Sequence, residues 1–470
     1  MGLSETLANY FDVHKHGSTV RTEILAGLTT FLTMSYIVVV NPSILVDNPN
    51  IPGVDGIAIQ GYAWTEVQAM LAVVTILAAA IATTVMAFYA NRPFAQAPGL
   101  GLNAFFAFTV VGALGVPWQT ALAAVFVEGI IFIALTAAGA REAIIKVFPE
   151  PVKMAVGTGI GLFLAIIGLQ AMGIVVDDTA TLITMGDLAS NPVAIISIVG
   201  LFFTFALYAA NVPGSIIIGI VGTSLLGWGL TVSGVVSSEA GLVAGSSAAT
   251  YDITPLAGAF ISGFGNVEAF SFALIVITFF FVDFFDTAGT LVGVGQAGGF
   301  LDENGDLPDI DKPLMADAVG TTAGAMLGTS TVTTYIESAT GVEEGGRTGL
   351  TALVVALLFL GSLAIVPLAT AIPQYASHIA LVVIGVVMLR NVVDIKWDDL
   401  TFTIPAGMTI LVMPFTYSIA YGIAAGIVSY PLVKVAAGEY DDVSAGQWAL
   451  AAAFVLYFVV RTSGMLQAQV

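Results

Sequence analysis

The sequence FFFVDFFDTAGT at residues 279–290 places two aspartates at the end of a run that otherwise suits a lipid bilayer. Asp283 and Asp286 follow directly on the apolar residues 270–282. A carboxylate at the centre of a membrane costs about 2.5–3.5 kcal/mol on insertion scales, so acids at that depth are rare and usually functional. Their i, i+3 spacing puts both on one face of a helix. The stretch therefore predicts a membrane helix that handles a polar solute or protons.

The rest of the chain has the composition of a membrane protein. Of its 470 residues, 57% are hydrophobic and 9% are charged, whereas a soluble domain is typically about 25% charged. About fourteen apolar runs follow one another, several of them short, against the roughly 20 residues that a membrane-spanning helix needs. We therefore predict an all-α polytopic membrane protein with about fourteen transmembrane segments.

The charge balance is strongly acidic. The net charge is −20 at pH 7, from 32 Asp and Glu against 12 Lys and Arg, and the acids crowd into loops such as residues 302–311. Strongly acidic surfaces, whose charges repel one another, are typical of salt-adapted proteins, so we expect a halophilic source. The same negative charge disfavours nucleic acid as a partner. The chain has no Cys and three His, so we expect neither a metal site nor a cofactor.

The basic residues predict the topology. Residues 1–21 lack an apolar core and a small-residue cleavage site, so they are expected to be a cytoplasmic lead and not a signal peptide. With this end inside, nearly all basic loop residues fall on the cytoplasmic side, as the positive-inside rule requires. These residues are Arg92, Arg141, Lys146, Lys153, Lys312, Arg347, Arg390, Lys396 and Lys434.

The last apolar stretch, residues 447–460, leaves the segment count open. If it spans the membrane, Arg461 lies outside, so we favour an interfacial or docked helix. The alternative fuses residues 400–435 into one long span and makes 447–460 the fourteenth.

A weak internal repeat supports a two-fold organisation. GSIIIGIVGTSLLG at 214–227 resembles YSIAYGIAAGIVSY at 417–430, and each closes a series of about seven segments. An odd number of spans inverts the second copy, and inverted repeats are typical of secondary transporters. The boundary between the copies is expected within residues 231–267.

Two short segments, the third and the tenth, correspond in such a repeat. They are residues 104–114 and 335–340, preceded by the irregular, extended stretches RPFAQAPGLGLN (92–103) and GTSTVTT (328–334). Irregular backbone at membrane depth is tolerated only where protein or a water cavity surrounds it. Paired, interrupted short segments therefore point to half-helices whose N-termini face a ligand near the midplane.

Several polar side chains near these segments are candidates for the site. Asn103 is expected to cap the first half-helix, to contact a ligand with its amide, or to do both. Glu337, in TYIESATG, is expected in the first turn of the second half-helix, among uncharged Thr and Ser. Asp283 and Asp286 are either site residues or a structural polar network. Glu128, in AVFVEGIIF, either joins the site or balances Arg92 structurally.

Four segments of the chain resemble one known family. They are TVRTEILAGLTTFLTMSYIVVVNP, QAPGLGLNAFF, FVDFFDTAGTL and GTSTVTTYIESATGVEEGGRTGL. Together they resemble the adenine/guanine/hypoxanthine permease branch, often called azaguanine-resistance-like, of the nucleobase–cation symporter-2 or nucleobase–ascorbate transporter family. The similarity extends over most of residues 11–435.

The resemblance implies a seven-plus-seven inverted repeat with a core and a gate domain, in the cell membrane. It implies import of purine bases with protons by alternating access. The expected divisions are a cytoplasmic lead at 1–21, core at 22–140 and 268–372, gate at 151–232 and 373–436, an extracellular loop at 233–267, and a C-terminal extension with an apolar helix at 437–470.

The resemblance also implies roles for single residues. Asn103, Asp286 and Glu337 would contact the base, and Asp283, Asp286 and Glu337 would serve proton coupling. Thr290 stands where some relatives have His or Asp, which leaves open the acid that holds the proton. We also place in the predicted substrate-binding set Gly101, for close backbone approach, Phe105, which either stacks on the base or packs, and Ser338.

Other functions are open at this point. A uracil or xanthine symporter, or a sodium-coupled version, would use the same acids. An anion transporter of the related sulfate/bicarbonate architecture is disfavoured because three acids repel anions, and an enzyme is disfavoured by the scarcity of His and Cys. The oligomeric state is also open, with a homodimer as one option.

Overall fold

Helices that are long and apolar enough to cross a membrane dominate the fold. The structure, a computed structural model, describes residues 2–49, 56–139, 147–244, 250–267, 269–303 and 307–462. Within these residues, ten helical stretches meet the length and hydropathy of a membrane span. They are Val20–Leu45, Trp64–Ala90, Trp118–Ala137, Glu150–Ala171, Pro192–Ala209, Ser215–Val232, Ser271–Ala297, Gly349–Thr370, Gln374–Asp394 and Ile419–Ala436. The predicted polytopic, mainly helical membrane protein is confirmed, while the count of fourteen stays a prediction.

The α-helices are numbered along the described residues. They are α1 (Leu3–Tyr10), α2 (Val20–Met34), α3 (Ile37–Leu45), α4 (Trp64–Val85), α5 (Leu100–Ala104), α6 (Trp118–Ala137), α7 (Glu150–Ala171), α8 (Pro192–Ala209), α9 (Ser215–Val232), α10 (Ala269–Ala297), α11 (Asp311–Leu327), α12 (Ser338–Glu343), α13 (Gly349–Gly361), α14 (Val366–Thr370), α15 (Gln374–Ser377), α16 (Ile379–Met388), α17 (Leu400–Thr416), α18 (Ile419–Ala436) and α19 (Ala445–Thr462). π-Helical turns at Met86–Ala90 and Phe105–Ala113 continue α4 and α5.

Four short strands accompany the helices, two of them in the extended segments predicted before the short helices and two in a hairpin that was not predicted. They are β1 (Gln96–Pro98), β2 (Val175–Asp178), β3 (Leu182–Met185) and β4 (Val332–Thr334). β2 and β3 form an antiparallel hairpin between α7 and α8. Backbone N–H groups of Thr181 and Ala180 donate to Asp178 in its turn, which holds the pKa of that carboxyl below its usual range.

Strands β1 and β4 lie at the centre of the fold and pair with each other. They are antiparallel, with Gln96 opposite Thr334 and Pro98 opposite Val332, and all six residues are buried. Backbone in a membrane interior must find its hydrogen-bond partners within the protein, and this pairing provides them. Each strand directly precedes a short helix, so the two irregular polar stretches of the sequence are brought together.

The short helices begin at other residues than predicted. The first begins at Leu100 and not at 104, and Gly99 occupies its N-cap position. Gly99 N donates to Thr331 O (3.0 Å), and a Cβ on this glycine would lie 2.5 Å from Cγ2 of Thr333, so only glycine allows the strands to cross this closely. The second begins at Ser338, and Glu337 stands at its N-cap position instead of in the first turn.

The C-terminal helices contradict one of the two predicted arrangements. Residues 400–435 do not form a single span, because Tyr417 adopts a left-handed conformation (φ +53°) and ends α17. The hydroxyl of Ser418 then caps α18 by accepting from Tyr421 N (3.3 Å). α19 packs along α18, with the ring of Phe458 5.5 Å from that of Tyr421.

Helix packing divides the molecule into two groups. α2, α4, α6, α10, α11 and α13 pack among themselves, while α7, α8, α9, α16, α17 and α18 form a second set. α5 touches α7 across the boundary, where a Cβ on Gly101 would lie 2.7 Å from Cγ2 of Ile160. This grouping is compatible with the core and gate domains, whose boundaries stay a prediction.

Some of the basic residues that were used to predict the topology make local contacts. The guanidinium groups of Arg92 and Arg347 lie 5.6 and 5.8 Å from the ring centre of Phe300. Lys396 pairs with Glu150 at 3.5 Å. The predicted basic loop with Arg141 and Lys146 lies outside the described residues, and the orientation of the N-terminus stays a prediction.

Glu23 of α2 anchors the start of α13. Its carboxylate is fully buried and accepts hydrogen bonds from the backbone N–H groups of Arg347 (3.0 Å), Thr348 (3.2 Å) and Thr351 (3.3 Å). The hydroxyl of Thr351 adds a fourth bond at 2.6 Å. A carboxylate at a helix N-terminus satisfies donors that have no partner within the helix and favours the helix dipole.

We predict that Glu23→Ala lowers the free energy of unfolding by about 2–4 kcal/mol, because several buried donors lose their acceptor at once. Thermal unfolding of the purified protein in detergent measures the change. Glu5→Ala, which removes an exposed glutamate from α1, is the control. Equal melting temperatures for both variants would contradict the anchoring role of Glu23.

Candidate functional site

Two carboxyl groups meet where α10 approaches the start of α12. Asp286 of α10 and Glu337 are both partly exposed, and their charges act on each other. The hydroxyl of Tyr36 donates a hydrogen bond of 2.6 Å to Oε1 of Glu337. The second carboxylate oxygen of Glu337 is therefore free of Tyr36 and can accept from a ligand.

Tyr36 is a functional candidate that the sequence analysis missed. It lies in the break between α2 and α3 and is 1% exposed. A break within an apolar segment is where backbone and side chains can reach a central site. Its only sequence signal is its place within the motif TMSYIVVVNP, which does not reveal the contact with Glu337, 301 residues later.

Asn103 presents a buried amide without a partner. The residue is fully buried, and neither Oδ1 nor Nδ2 has a hydrogen-bond partner among the described residues. It lies inside α5, so the expectation that it caps this helix is wrong. An unpaired buried amide costs about 1–3 kcal/mol, and such a group in a native protein calls for a ligand or water.

The other three predicted substrate contacts have packing partners. Gly101 closely approaches Ile160 of α7. Phe105 is fully buried, with its ring edge-on to Phe279 at 4.8 Å between centres. Ser338 Oγ accepts from Ala95 N at 3.0 Å and so ties the start of α12 to the chain before β1. Their roles in ligand binding stay predictions.

Asp283 lies one turn before Asp286 in α10 and is fully buried. Its Oδ2 is 3.3 Å from the hydroxyl of Thr321, and its Oδ1 has no partner among the described residues. The nearer acceptor for the single Thr321 hydroxyl proton is Val332 O (2.8 Å), a contact that links α11 to β4. The two aspartates of the motif therefore have different surroundings, one partly open and one closed.

Asp317 of α11 is another fully buried acid, and it was not among the candidates from the sequence. Its Oδ1 accepts from Nε2 of Gln96 (3.0 Å) and from Oγ1 of Thr334 (3.1 Å), the residues that face each other across the strand pair. Residues 314–327 are one of the apolar runs predicted to form membrane segments, but the carboxylate within this run was not among the candidates. Only the tertiary structure shows that its carboxylate holds both strands.

Glu128 of α6 completes a cluster of three fully buried acids with Asp283 and Asp317. Its carboxyl group lies beside that of Asp283. Arg92 does not balance it, because the Arg92 guanidinium donates to Pro308 O (2.8 Å) at the surface. The structural role as a counter-charge for Arg92, which the sequence favoured, is therefore wrong.

The cluster has no cation in the part of the chain that the structure describes. The ion pairs found there involve other acids, such as those of Lys434 with Glu439 and Asp442. The same residues contain no group of three His, Cys, Asp or Glu placed to hold a metal ion. Buried charges without a partner are very costly, so these three acids cannot all be ionised without a counter-charge.

These features define a polytopic membrane protein with a central acidic site and two short helices that meet it. A family model described as "Permease family", that of the xanthine/uracil permeases, matches residues 21–425. The chain belongs to this family, the nucleobase–cation symporter-2 family, as its motifs indicate.

Relatives resemble the chain over nearly its full length. A putative permease of Methanocaldococcus jannaschii is 45% identical over 96% of this chain and 97% of its own. The adenine permease AdeP of Escherichia coli is 39% identical over 96% of each chain. The guanine/hypoxanthine permease PbuG of Bacillus subtilis is 38% identical over 96% of this chain and 99% of its own.

Among solved structures, the transmembrane domain of the cyanobacterial bicarbonate transporter BicA is similar in fold. The TM-score is 0.58 at 12% identity, over 86% of this chain and 97% of that domain. At this identity the likeness concerns the fold alone.

We predict that Asp317→Leu lowers the free energy of unfolding by about 2–5 kcal/mol, since the Gln96 amide and the Thr334 hydroxyl lose their shared acceptor. Asp317→Asn keeps an oxygen for these donors and is expected to lose much less. Thermal unfolding measures both, with Asp187→Leu on an exposed loop as control. Equal loss in the Leu and Asn variants would contradict the acceptor role.

Proposed function

We propose that the protein is a secondary active transporter that imports purine nucleobases (adenine, guanine or hypoxanthine) together with protons. Its family and the adenine and guanine/hypoxanthine permeases among its relatives support this proposal. The observation that carries it is the unpartnered Asn103 amide in a protein whose two partly exposed acids, Asp286 and Glu337, act on each other. α10 packs against both short helices, so all three residues belong to contacting elements.

This donor and acceptor set fits the edge of a purine. A purine presents ring N–H donors beside ring nitrogens and carbonyl acceptors. A carboxylate accepts from N–H groups, and the Asn amide both donates and accepts. Glu337, which is oriented by Tyr36, accepts hydrogen bonds from purine N–H groups with its remaining oxygen. The Asn103 amide pairs with an edge of the base that carries both a donor and an acceptor, and Asp286 lies on the other side of the base.

Proton coupling follows from where the acids lie. Asp286 and Glu337 are partly exposed, and Asp283 lies one turn deeper along α10 and is fully buried. A base bound beside Asp286 changes the electrostatic cost of each proton on these carboxyl groups, which links proton binding to base binding. Sodium remains the alternative coupling ion.

Alternating access would move the gate domain (151–232 and 373–436) against the core domain (22–140 and 268–372). The close contact of Gly101 with Ile160 lies on that boundary. The protein would act in the cell membrane with its N-terminus in the cytoplasm, as a seven-plus-seven inverted repeat.

Two other substrate classes deserve comparison. Uracil or xanthine would also fit a carboxylate and an amide, and the family model is that of xanthine/uracil permeases. Anion transport is suggested only by the fold that the chain shares with a bicarbonate transporter. A site with two partly exposed acids repels anions, so we place this class last.

Uptake into proteoliposomes tests the function directly. We expect radiolabelled adenine, guanine or hypoxanthine to accumulate when the outside is acidic, by about tenfold per coupled proton for a one-unit pH gradient. Xanthine and uracil serve as competing substrates, and sodium gradients test the alternative ion. Folded protein that takes up no purine under either gradient would refute the proposal.

We predict that Glu337→Gln weakens purine binding about tenfold or more, because a charged hydrogen bond is worth about 1.5–3 kcal/mol. Tyr36→Phe removes only the orienting hydroxyl and is expected to weaken binding about fivefold, the equivalent of about 1 kcal/mol. Binding isotherms on purified protein measure both.

The control for the tyrosine variant is Tyr375→Phe. Tyr375 is also buried, and its hydroxyl donates to the backbone oxygen of Leu242 (3.1 Å). An unchanged affinity in Glu337→Gln would remove this residue from the site, and equal effects of the two Tyr→Phe changes would remove Tyr36.

A further inference from the structure

The buried acid Glu128 stands outside the proposed base-binding site, and its surroundings are unusual. No hydroxyl, amide or cation of the described residues donates to either of its carboxyl oxygens. Its side chain is fully buried and directed at Asp283 of α10. An acid in this position cannot be a solvated surface group, and it is not a helix cap because it lies in the middle of α6.

Four elements of the described chain pack closely against α6, and their one Lys or Arg, Lys312 at the start of α11, is exposed and pairs with Asp309 (3.5 Å) instead of Glu128. They are α10, α11, the 3-10 helix Ala259–Asn266 and the π-helical turn Phe105–Ala113. The sequences of the last two, AFISGFGN and FFAFTVVGA, contain no titratable residue. The titratable groups that face Glu128 are therefore Asp283 and Asp317, and Asp283 in turn faces Asp286.

A second, independent polar group points into the same cluster. Gln96 of β1 is fully buried and reaches Asp317 with Nε2 at 3.0 Å, while its Oε1 has no partner. Glu128, Asp283 and Asp317 each keep an unpaired carboxyl oxygen among the described residues and lie near one another, while Gln96 donates to only one of these acids, Asp317, so this cluster lacks hydrogen-bond donors. The missing donor has to be supplied from outside the chain, and a proton on a carboxyl group supplies it with the least space.

We propose that Glu128 is a proton-holding residue that shares a proton with Asp283, behind the base-binding site. This inference rests on the proposed function and deepens it by assigning a proton site on α6. Protons would enter at Asp286, which is partly exposed, pass to Asp283 one turn away, and be held between Asp283 and Glu128. Each transfer breaks one O–H bond and forms another on the neighbouring carboxyl group, without any change in oxidation state.

The arrangement explains how a closed cluster can respond to an open site. Two facing carboxyl groups in an apolar environment cannot both be ionised, so they share a proton. A base or a proton that arrives at Asp286 alters the charge one helical turn from this pair. The pair then gains or loses its proton as the site fills or empties, which ties base movement to proton movement.

The test compares exchange with accumulation in proteoliposomes that contain Glu128→Gln or wild-type protein. Counterflow of radiolabelled purine needs no net proton movement, so the variant is expected to stay within about twofold of wild type. Accumulation under a one-unit pH gradient is expected to fall from about tenfold to no accumulation. A trapped pH dye should show that purine entry no longer carries protons inward.

Two further variants separate a proton site from a packing role. Glu128→Asp keeps a carboxyl group and is expected to restore gradient-driven accumulation. The control is Glu239→Gln, at an exposed position outside the candidate membrane-spanning helices, which should behave as wild type. If folded Glu128→Gln accumulates purine and carries protons as wild type does, the proposal is overturned. Loss of coupling in both Glu128 variants would also overturn it, because shape and not the carboxyl group would then matter.

If Glu128→Gln does not fold, a labelling experiment on wild-type protein tests the proposal instead. A carbodiimide that reacts with protonated carboxyl groups in apolar surroundings should label Glu128, and labelling should fall as pH rises, in parallel with coupled uptake. Labelling that does not change with pH would overturn the proposal. Absence of purine uptake by wild-type protein would refute the transport function itself, which is a different result from equal uptake by wild type and variant.

Discussion

The need to pair every backbone polar group inside the molecule determines the centre of this protein. Two three-residue strands, β1 and β4, meet this need by pairing with each other, although they are more than 230 residues apart in the sequence. Their side chains extend the effect, because Gln96 and Thr334 bring the carboxylate of Asp317 to the crossing. The short helices that begin beside the strands are fixed in the same step, and with them Asn103 and Glu337.

The two aspartates of α10 lie in different surroundings. Asp286 is partly exposed and acts on Glu337, whereas Asp283 faces Glu128 and Asp317 in closed surroundings. One helical turn is enough for this difference, because α6 and α11 cover the deeper position. In our proposal the outer acid meets the base and the inner acids hold the proton, so binding and coupling use adjacent parts of one continuous polar path.

The fold alone does not decide what crosses the membrane. A bicarbonate transporter domain shares it at a TM-score of 0.58, yet an anion would meet two partly exposed carboxyl groups here. In our proposal, substrate choice depends on a few side chains near the strand crossing and not on the helical scaffold. The glutamate that anchors α13, Glu23, belongs to the scaffold, since its carboxylate is fully used by the helix start.

The sequence by itself determined the membrane class and the family, and it proposed the acids and amide of the candidate site, because apolar runs and polar exceptions within them are local properties. It misplaced the starts of both short helices, since the pairing of β1 with β4 defines them. It missed Tyr36 and Asp317 and misread Glu128, because the partners of these residues come from distant helices. Only the tertiary structure decides which buried polar groups contact each other. The free-energy cost of burying each group depends on neighbours that sequence spacing does not specify.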